Sequence, residues 1–311
     1  MKIAYVNGLM NIRQCIILSI RHIYYAMIRL RVVKPKVIVF VDGGICSQIL
    51  QYLNGQTYAI NGYDVGYDLY WYKSDGFDLE HKCRRLYELQ ELFPNLCVHQ
   101  FNQITTSFYR TFLRYNGNYD KISSKSLLQA PPVYIAGRYV RDADDFRFLL
   151  KRCILERNPI SIPVLPAREG QYTCAIHIRR GDLANGTNVY YGGVSDKFFF
   201  NAIEYIEKNH PQTKYFLFSD DIAYVKNEIV TKLEVEYCVV DDPKASIVLK
   251  MMAACNVIVA SQGSLGKMAA MLNERSTLIM QSYNKEGVND YHVQEWRERI
   301  GDERVILISG I

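Results

Sequence analysis

Between residues 172 and 280 the chain repeats one pattern: a short apolar or β-branched run, a polar cluster, then a stretch long enough for a helix. The runs are 172–178, 215–218, 236–240, 257–260 and 277–280, and helices are predicted over 196–208, 246–255 and 265–272. A strand that is apolar along its whole length must be covered on both faces, and helices between strands supply that cover. The pattern therefore predicts a parallel, doubly wound sheet. It also predicts where ligand chemistry lies, because an open parallel sheet binds ligands beyond the carboxyl ends of its strands.

The first half is α/β in a less regular form. Strands are expected at 37–41, 67–72 and 133–136, a helical stretch follows Gly43 and Gly44, and a helix is expected over 144–156. Residues 158–170 hold three of the nine prolines. Proline fixes φ and removes a donor, so this stretch reads as a boundary. Three parts are expected: a basic amphipathic segment (1–34), a first α/β domain (35–160) and a second, Rossmann-like α/β domain (161–311).

Charge is unevenly placed. Residues 1–41 contain seven basic residues and no acid, which leaves 30 basic against 32 acidic residues in the remainder. A general nucleic-acid coat is thereby excluded. Residues 9–30 carry apolar positions at helical spacing with arginines between them, the pattern of a helix lying on an anionic membrane or packed on its own domain. The best N-terminal apolar run, from Cys15 to Ile20, is stopped by Arg21 and His22, too short for a span or a secretory signal. None of the eight cysteines lies within three residues of another, which argues against a zinc site or a disulfide framework and for free thiols in a reducing cytoplasm.

The polar clusters carry the chemistry. His177, Arg179, Arg180 and Asp182 follow the first strand of the second half, and Ser219, Asp220 and Asp221 the second. Asp241 follows the third, and Ser261, Gln262, Gly263 and Ser264 the fourth. An arginine forks onto phosphate oxygens, and one of two adjacent arginines suffices for that while the other holds the loop. Residues 261–264 open a helix, where free N–H groups and the dipole favour an anion, and Gly263 lets the backbone approach. The aspartates can accept from ribose hydroxyls or cap the next helix. No Walker phosphate loop or Gly-x-Gly-x-x-Gly occurs, and Gln262 stands where a Gly-x-Ser-x-Gly elbow needs glycine. Asp142 and Asp144 match a metal-holding Asp-x-Asp, yet sit where helix capping is the simpler role.

The motif His177-Ile-Arg-Arg-Gly-Asp182 resembles the His-x-Arg-Arg-x-Asp signature of α-1,2-fucosyltransferases, glycosyltransferase family 11. Phe218-Ser-Asp-Asp221, the block from Ser261 to Asn273, and Gly43-Gly-Ile-Cys-Ser-Gln48 with its following residues resemble further motifs of that family in the same order. Ile45-Cys46-Ser47 and Leu265-Gly266-Lys267 depart from the usual residues.

The resemblance implies a GT-B type fold, two Rossmann-like domains with parallel sheets facing a cleft. It implies an inverting fucosyltransferase that takes GDP-fucose as donor, needs no metal or other cofactor, and acts on a galactose-terminated surface glycan. Arg179 and Asp182 are the expected catalytic residues. His177, Arg179, Arg180, Ser219, Asp220, Asp221, Asp241, Ser261, Gln262, Gly263, Ser264, Gly43, Gly44 and Gln48 are the expected donor-binding set. The general base is not identified. A transferase of another linkage and a non-catalytic nucleotide-sugar or glycan-binding protein are the alternatives. The expected location is the cytoplasm, with peripheral contact at the inner membrane face through residues 1–34.

Overall fold

The computed structural model of the chain describes residues 12–79, 82–181, 195–261, 263–282 and 290–310. In chain order its strands are β1 (Lys36–Phe40), β2 (Asp64–Asp68), β3 (Phe77–Asp78), β4 (Cys83–Arg84), β5 (Arg114–Lys121), β6 (Val133–Val140), β7 (Thr173–Ile178), β8 (Lys214–Ser219), β9 (Tyr237–Val240), β10 (Val257–Ala260), β11 (Thr277–Gln281) and β12 (Val305–Ile308). Two compact units result, and neither is continuous in sequence. The first comprises Met1–Val41, Gln51–Trp71 and Cys97–Asp142, and the second Asp42–Leu50, Tyr72–Leu96 and Ala143–Ile311.

The first unit holds a parallel sheet of order β2-β1-β6-β5. β1 is Lys-Val-Ile-Val-Phe, and its central three residues are buried. β5 has no such run; its sequence is Arg-Tyr-Asn-Gly-Asn-Tyr-Asp-Lys, half-buried at alternate positions as befits an edge. The expected strand over 67–72 is corrected. β2 ends at Asp68, whose Oδ1 accepts the Tyr70 N–H at 3.0 Å and turns the chain into helix Tyr70–Ser74. Asp68 is buried, and its other oxygen accepts from Arg110 Nη2 at 2.6 Å and Tyr134 Oη at 2.7 Å. Helix Ile12–Arg29 packs on helix Gln103–Phe112: Tyr24 lies 4.9 Å from Phe108, its hydroxyl bonds that of Tyr109 at 3.0 Å, and Arg21 Nε donates to the Phe112 carbonyl.

The second unit holds six parallel strands in the order β12-β11-β10-β7-β8-β9. Counted from β7 this is the Rossmann order 3-2-1-4-5-6, with its reversal between β7 and β10. β7 is buried at all six positions. Helix Asp196–Asn209 turns Phe198, Ala202 and Ile206 onto β7 and β8, where Ile176 and Leu217 are wholly enclosed. Truncating Ile176 to alanine there costs about 2–5 kcal/mol. The α/β class with two parallel sheets is as the sequence predicts. No disulfide joins the cysteines; Cys46, Cys153, Cys174 and Cys255 are buried, while Cys15 and Cys97 are exposed.

Candidate functional site

The switch point of the second sheet brings together the ends of β7 and β10. His177 pairs with Ala260, so the residues after each strand emerge side by side. The Ser261 N–H donates to the His177 carbonyl at 3.0 Å, and the Arg179 N–H donates to Ser261 Oγ at 2.9 Å. Ser261 is thereby buried as a staple between two loops. Gly263 follows with φ +98, and a Cβ there would lie 2.5 Å from Arg179 Nη1. The backbone angle favours glycine here, and a Cβ would displace the guanidinium that lies across it.

Ser264 occupies the N-cap of helix Leu265–Leu272, and its side chain makes no capping bond. The hydroxyl is turned instead to Cys46, whose thiol burial pushes up to about 11 against the opposing pull of Ser264 and Arg179. Ser264 thus leaves the first N–H groups of the helix uncapped by its own side chain, and the dipole adds positive potential there. A Cβ on Gly266 would stand 3.3 Å from the His177 ring, so this glycine lets the helix close on β7. His177 is buried, and burial lowers it to about 4; Arg179 and Lys267 push the same way and Asp220 opposes. It is therefore a neutral packing group at neutral pH. Lys267 is only 8 % exposed. Burial, with Arg179 nearby, lowers it to about 8, Glu295 opposes, and its ammonium lies 5.9 Å from the Trp296 ring.

The two adjacent arginines divide their work. Arg180 lies over the Tyr224 ring at 3.3 Å and has Nε 3.6 Å from Asp221 Oδ2. Arg179 is the one at the switch point. Asp220 Oδ1 accepts the Arg180 and Gly181 N–H groups at 2.8 and 3.1 Å, which braces the loop after β7. Asp221 caps the helical turn Ile222–Tyr224 by accepting the Tyr224 N–H at 3.0 Å. Ser219 Oγ donates to the Ile178 carbonyl and accepts the Asp221 N–H. Asp241 follows β9, two strands from β7, and is exposed.

The segment Asp42–Leu50 belongs to this same unit. Gly43 has φ +74, and its carbonyl accepts from Tyr72 Oη at 2.8 Å and Gln48 Nε2 at 3.2 Å. Gly44 faces open space. Gln48 is wholly buried, and its amide is engaged inside the protein: Nε2 also donates to the Leu86 carbonyl, and Oε1 accepts the Glu88 and Leu89 N–H groups. Its role is to position the Gly43 turn. Asp182 and Gln262 lie outside the described residues.

Sequence reasoning did not single out Lys267, Tyr224 or Glu88. Glu88 is buried and accepts the Ser246 N–H at 2.7 Å, at the start of helix Ala245–Ala253. No spacing rule marks any of these three. Among the described residues no group of three or more His, Cys, Asp or Glu side chains is set to hold a metal ion. Asp144 is in the first turn of helix Ala143–Leu149 and pairs with Arg147. A guanidinium, an uncapped helix start and a buried ammonium in one low-dielectric corner can together hold a diphosphate and stabilise charge that builds on it.

Comparison with protein families bears on this half of the chain. Residues 161–298 match Glycosyl transferase family 11, which supports a nucleotide-sugar glycosyltransferase. A comparison with curated protein sequences finds no match. Among solved structures, the chain is similar to the E. coli heptosyltransferase WaaC with ADP (11% identity, TM-score 0.42, covering 88% of this chain and 93% of that one). It is also similar to the E. coli ADP-heptose lps heptosyltransferase II (12%, TM-score 0.44, 88% and 90%). The apo form of POFUT1 is a further likeness (12%, TM-score 0.35, 78% and 95%).

Proposed function

We propose that the chain is an inverting fucosyltransferase that moves L-fucose from GDP-fucose to a galactose 2-hydroxyl of a surface glycan, forming an α-1,2 linkage. One observation carries this reading: Arg179 lies across Gly263 at the uncapped start of helix Leu265–Leu272, at the switch point of a Rossmann-ordered sheet. The match of residues 161–298 to family 11 supports the transferase class, and the motif likeness supports fucose and the linkage.

In this reading the diphosphate sits over the starts of the 261–264 and 179–181 loops. Arg179 forks onto its oxygens and the free N–H groups at the helix start bind the same anion. As the bond to fucose breaks, negative charge grows on the terminal phosphate. These fixed positive groups meet it without having to reorganise, which is where most of the acceleration arises. Lys267 strengthens the potential from behind the first turn. Arg180, Asp220 and Ser219 keep the loop in place. The acceptor hydroxyl attacks the anomeric carbon of fucose from the face opposite the diphosphate as the bond to GDP breaks, and gives up its proton to a base. Charge neutralisation by protein groups makes a metal unnecessary, so a chelator leaves transfer intact. The free thiols fit a cytoplasmic enzyme.

The test is a calorimetric screen of GDP, UDP and CMP sugars, followed by NMR of the glycosidic bond in the product. The expected result is selective binding of GDP-fucose and a bond at the galactose 2-position. Tighter binding of a UDP or CMP sugar overturns the donor, a bond at another hydroxyl overturns the linkage, and loss of turnover with chelator overturns metal independence.

A further inference from the structure

Helix Ile12–Arg29 carries an apolar stripe that its own unit leaves uncovered. Ile12, Ile16, Ile23 and Leu30 are 78, 53, 62 and 75 % exposed, and Met27 joins them at 37 %. At helical spacing these five fall within an arc of about 60°. Tyr24 and Arg21, which hold the helix to its unit, point to a different arc. Val32, just past the helix, is 68 % exposed as well. A contiguous apolar stripe of this kind on a surface marks a place where something docks.

Charge selects what docks. No acid occurs in residues 1–41. Lys36 is paired with Asp64 and Arg21 is turned to the Phe112 carbonyl, but Arg29, Arg31 and Lys34 stand exposed around the end of the stripe. A second copy of the chain would set these cations against their equals. Among the described residues no helix is long and apolar enough to cross a membrane. An anionic bilayer satisfies both halves of the surface, taking the isoleucines at the acyl boundary and the cations at its headgroups.

We propose that helix Ile12–Arg29 lies flat on an anionic lipid bilayer, inserting Ile12, Ile16, Ile23, Met27 and Leu30 and setting Arg29, Arg31 and Lys34 against the headgroups. This inference stands independently of the transferase reading.

The experiment is flotation of the full chain with vesicles of phosphatidylcholine alone or mixed equally with phosphatidylglycerol. Two variants are compared, Ile16→Glu/Ile23→Glu/Leu30→Glu and Arg29→Gln/Arg31→Gln/Lys34→Gln. All six positions are exposed, so both are expected to fold, as thermal melting by circular dichroism checks. The wild type is expected to bind mixed vesicles at least about tenfold better than neutral ones, since each cation near the surface adds about fivefold. Each variant is expected to lose about tenfold or more in binding to mixed vesicles while its melting temperature is unchanged. Equal binding by wild type and variants, or equal binding to neutral and mixed vesicles, overturns the proposal. So does a wild-type dimer that ignores vesicles and is dissolved by the glutamates, which would make a second copy the occupant.

Discussion

Replacing Gly263 with alanine tests the proposed donor site at its most constrained point. The substitution has two separable costs. At φ +98 a residue with a Cβ is strained by about 1–3 kcal/mol, which lowers stability. The new methyl would also stand 2.5 Å from Arg179 Nη1, so the guanidinium must leave its place. Losing a hydrogen bond to a charged group removes about 1.5–3 kcal/mol, a fall in GDP affinity of about 10- to 150-fold. Gly170→Ala is the control. Gly170 also has positive φ, +72, but a Cβ there meets nothing within 4 Å. Calorimetry with GDP and thermal unfolding are measured on both. Both variants should melt a few degrees lower, and Gly263→Ala alone should lose GDP affinity. If Gly263→Ala binds GDP as the wild type does, or if both variants lose affinity equally, the placement of Arg179 over the ligand is wrong.

Arg179→Ala should abolish transfer and weaken GDP binding by a few kcal/mol, whereas Arg180→Ala, which removes a cation from the Tyr224 ring, should mainly lower the melting temperature; reversed effects in turnover assays would exchange the two roles. Lys267 loses its charge as pH rises through about 8, so GDP binding should weaken across that range, and Lys267→Met should flatten the titration. His177 is held at about 4, below its ordinary 6.5, so the unfolded chain takes up a proton in that window while the folded chain does not. Stability should therefore fall as pH drops from 6.5 toward 4 by on the order of 3 kcal/mol, and urea melts of His177→Asn should show a shallower fall.

The second sheet was legible because its first five strands are short apolar runs, polar clusters close four of them, and predicted helices separate most of them. β5 was not, since Arg-Tyr-Asn-Gly-Asn-Tyr-Asp-Lys becomes a strand by pairing with β6 and carries no apolar run of its own. β12, a four-residue run at 305–308, went unread because its meaning comes from the register with β11. The aromatic run at 67–72 looked like one strand, but a local hydrogen bond from the Tyr70 N–H to Asp68 outweighs β-propensity there. At the site, adjacency showed that one arginine of the pair faces the switch point. Which one depends on Tyr224 and Asp221, supplied by another strand's loop. Gln48 was read as a donor-binding residue, whereas its amide is spent on backbone groups at 43 and 86–89; the partners some forty positions away leave no local trace.

The second unit is stitched from distant stretches of chain, and this governs the order in which it can be made. Glu88 meets Ser246 across 158 positions, and Cys46 meets Ser264 across a still longer interval. A nascent polypeptide that has left the ribosome as far as the proline-rich stretch holds the Gly43 turn and the Glu88 carboxylate with nothing yet to receive them. Closing such long loops slows folding, and the contacts of residues 42–50 and 72–96 with helices Ala245–Ala253 and Leu265–Leu272 must wait for the C-terminal half to emerge. An excised C-terminal half would lack the Glu88 anchor of helix Ala245–Ala253 and the thiol beside Ser264, and should be less stable than the whole chain.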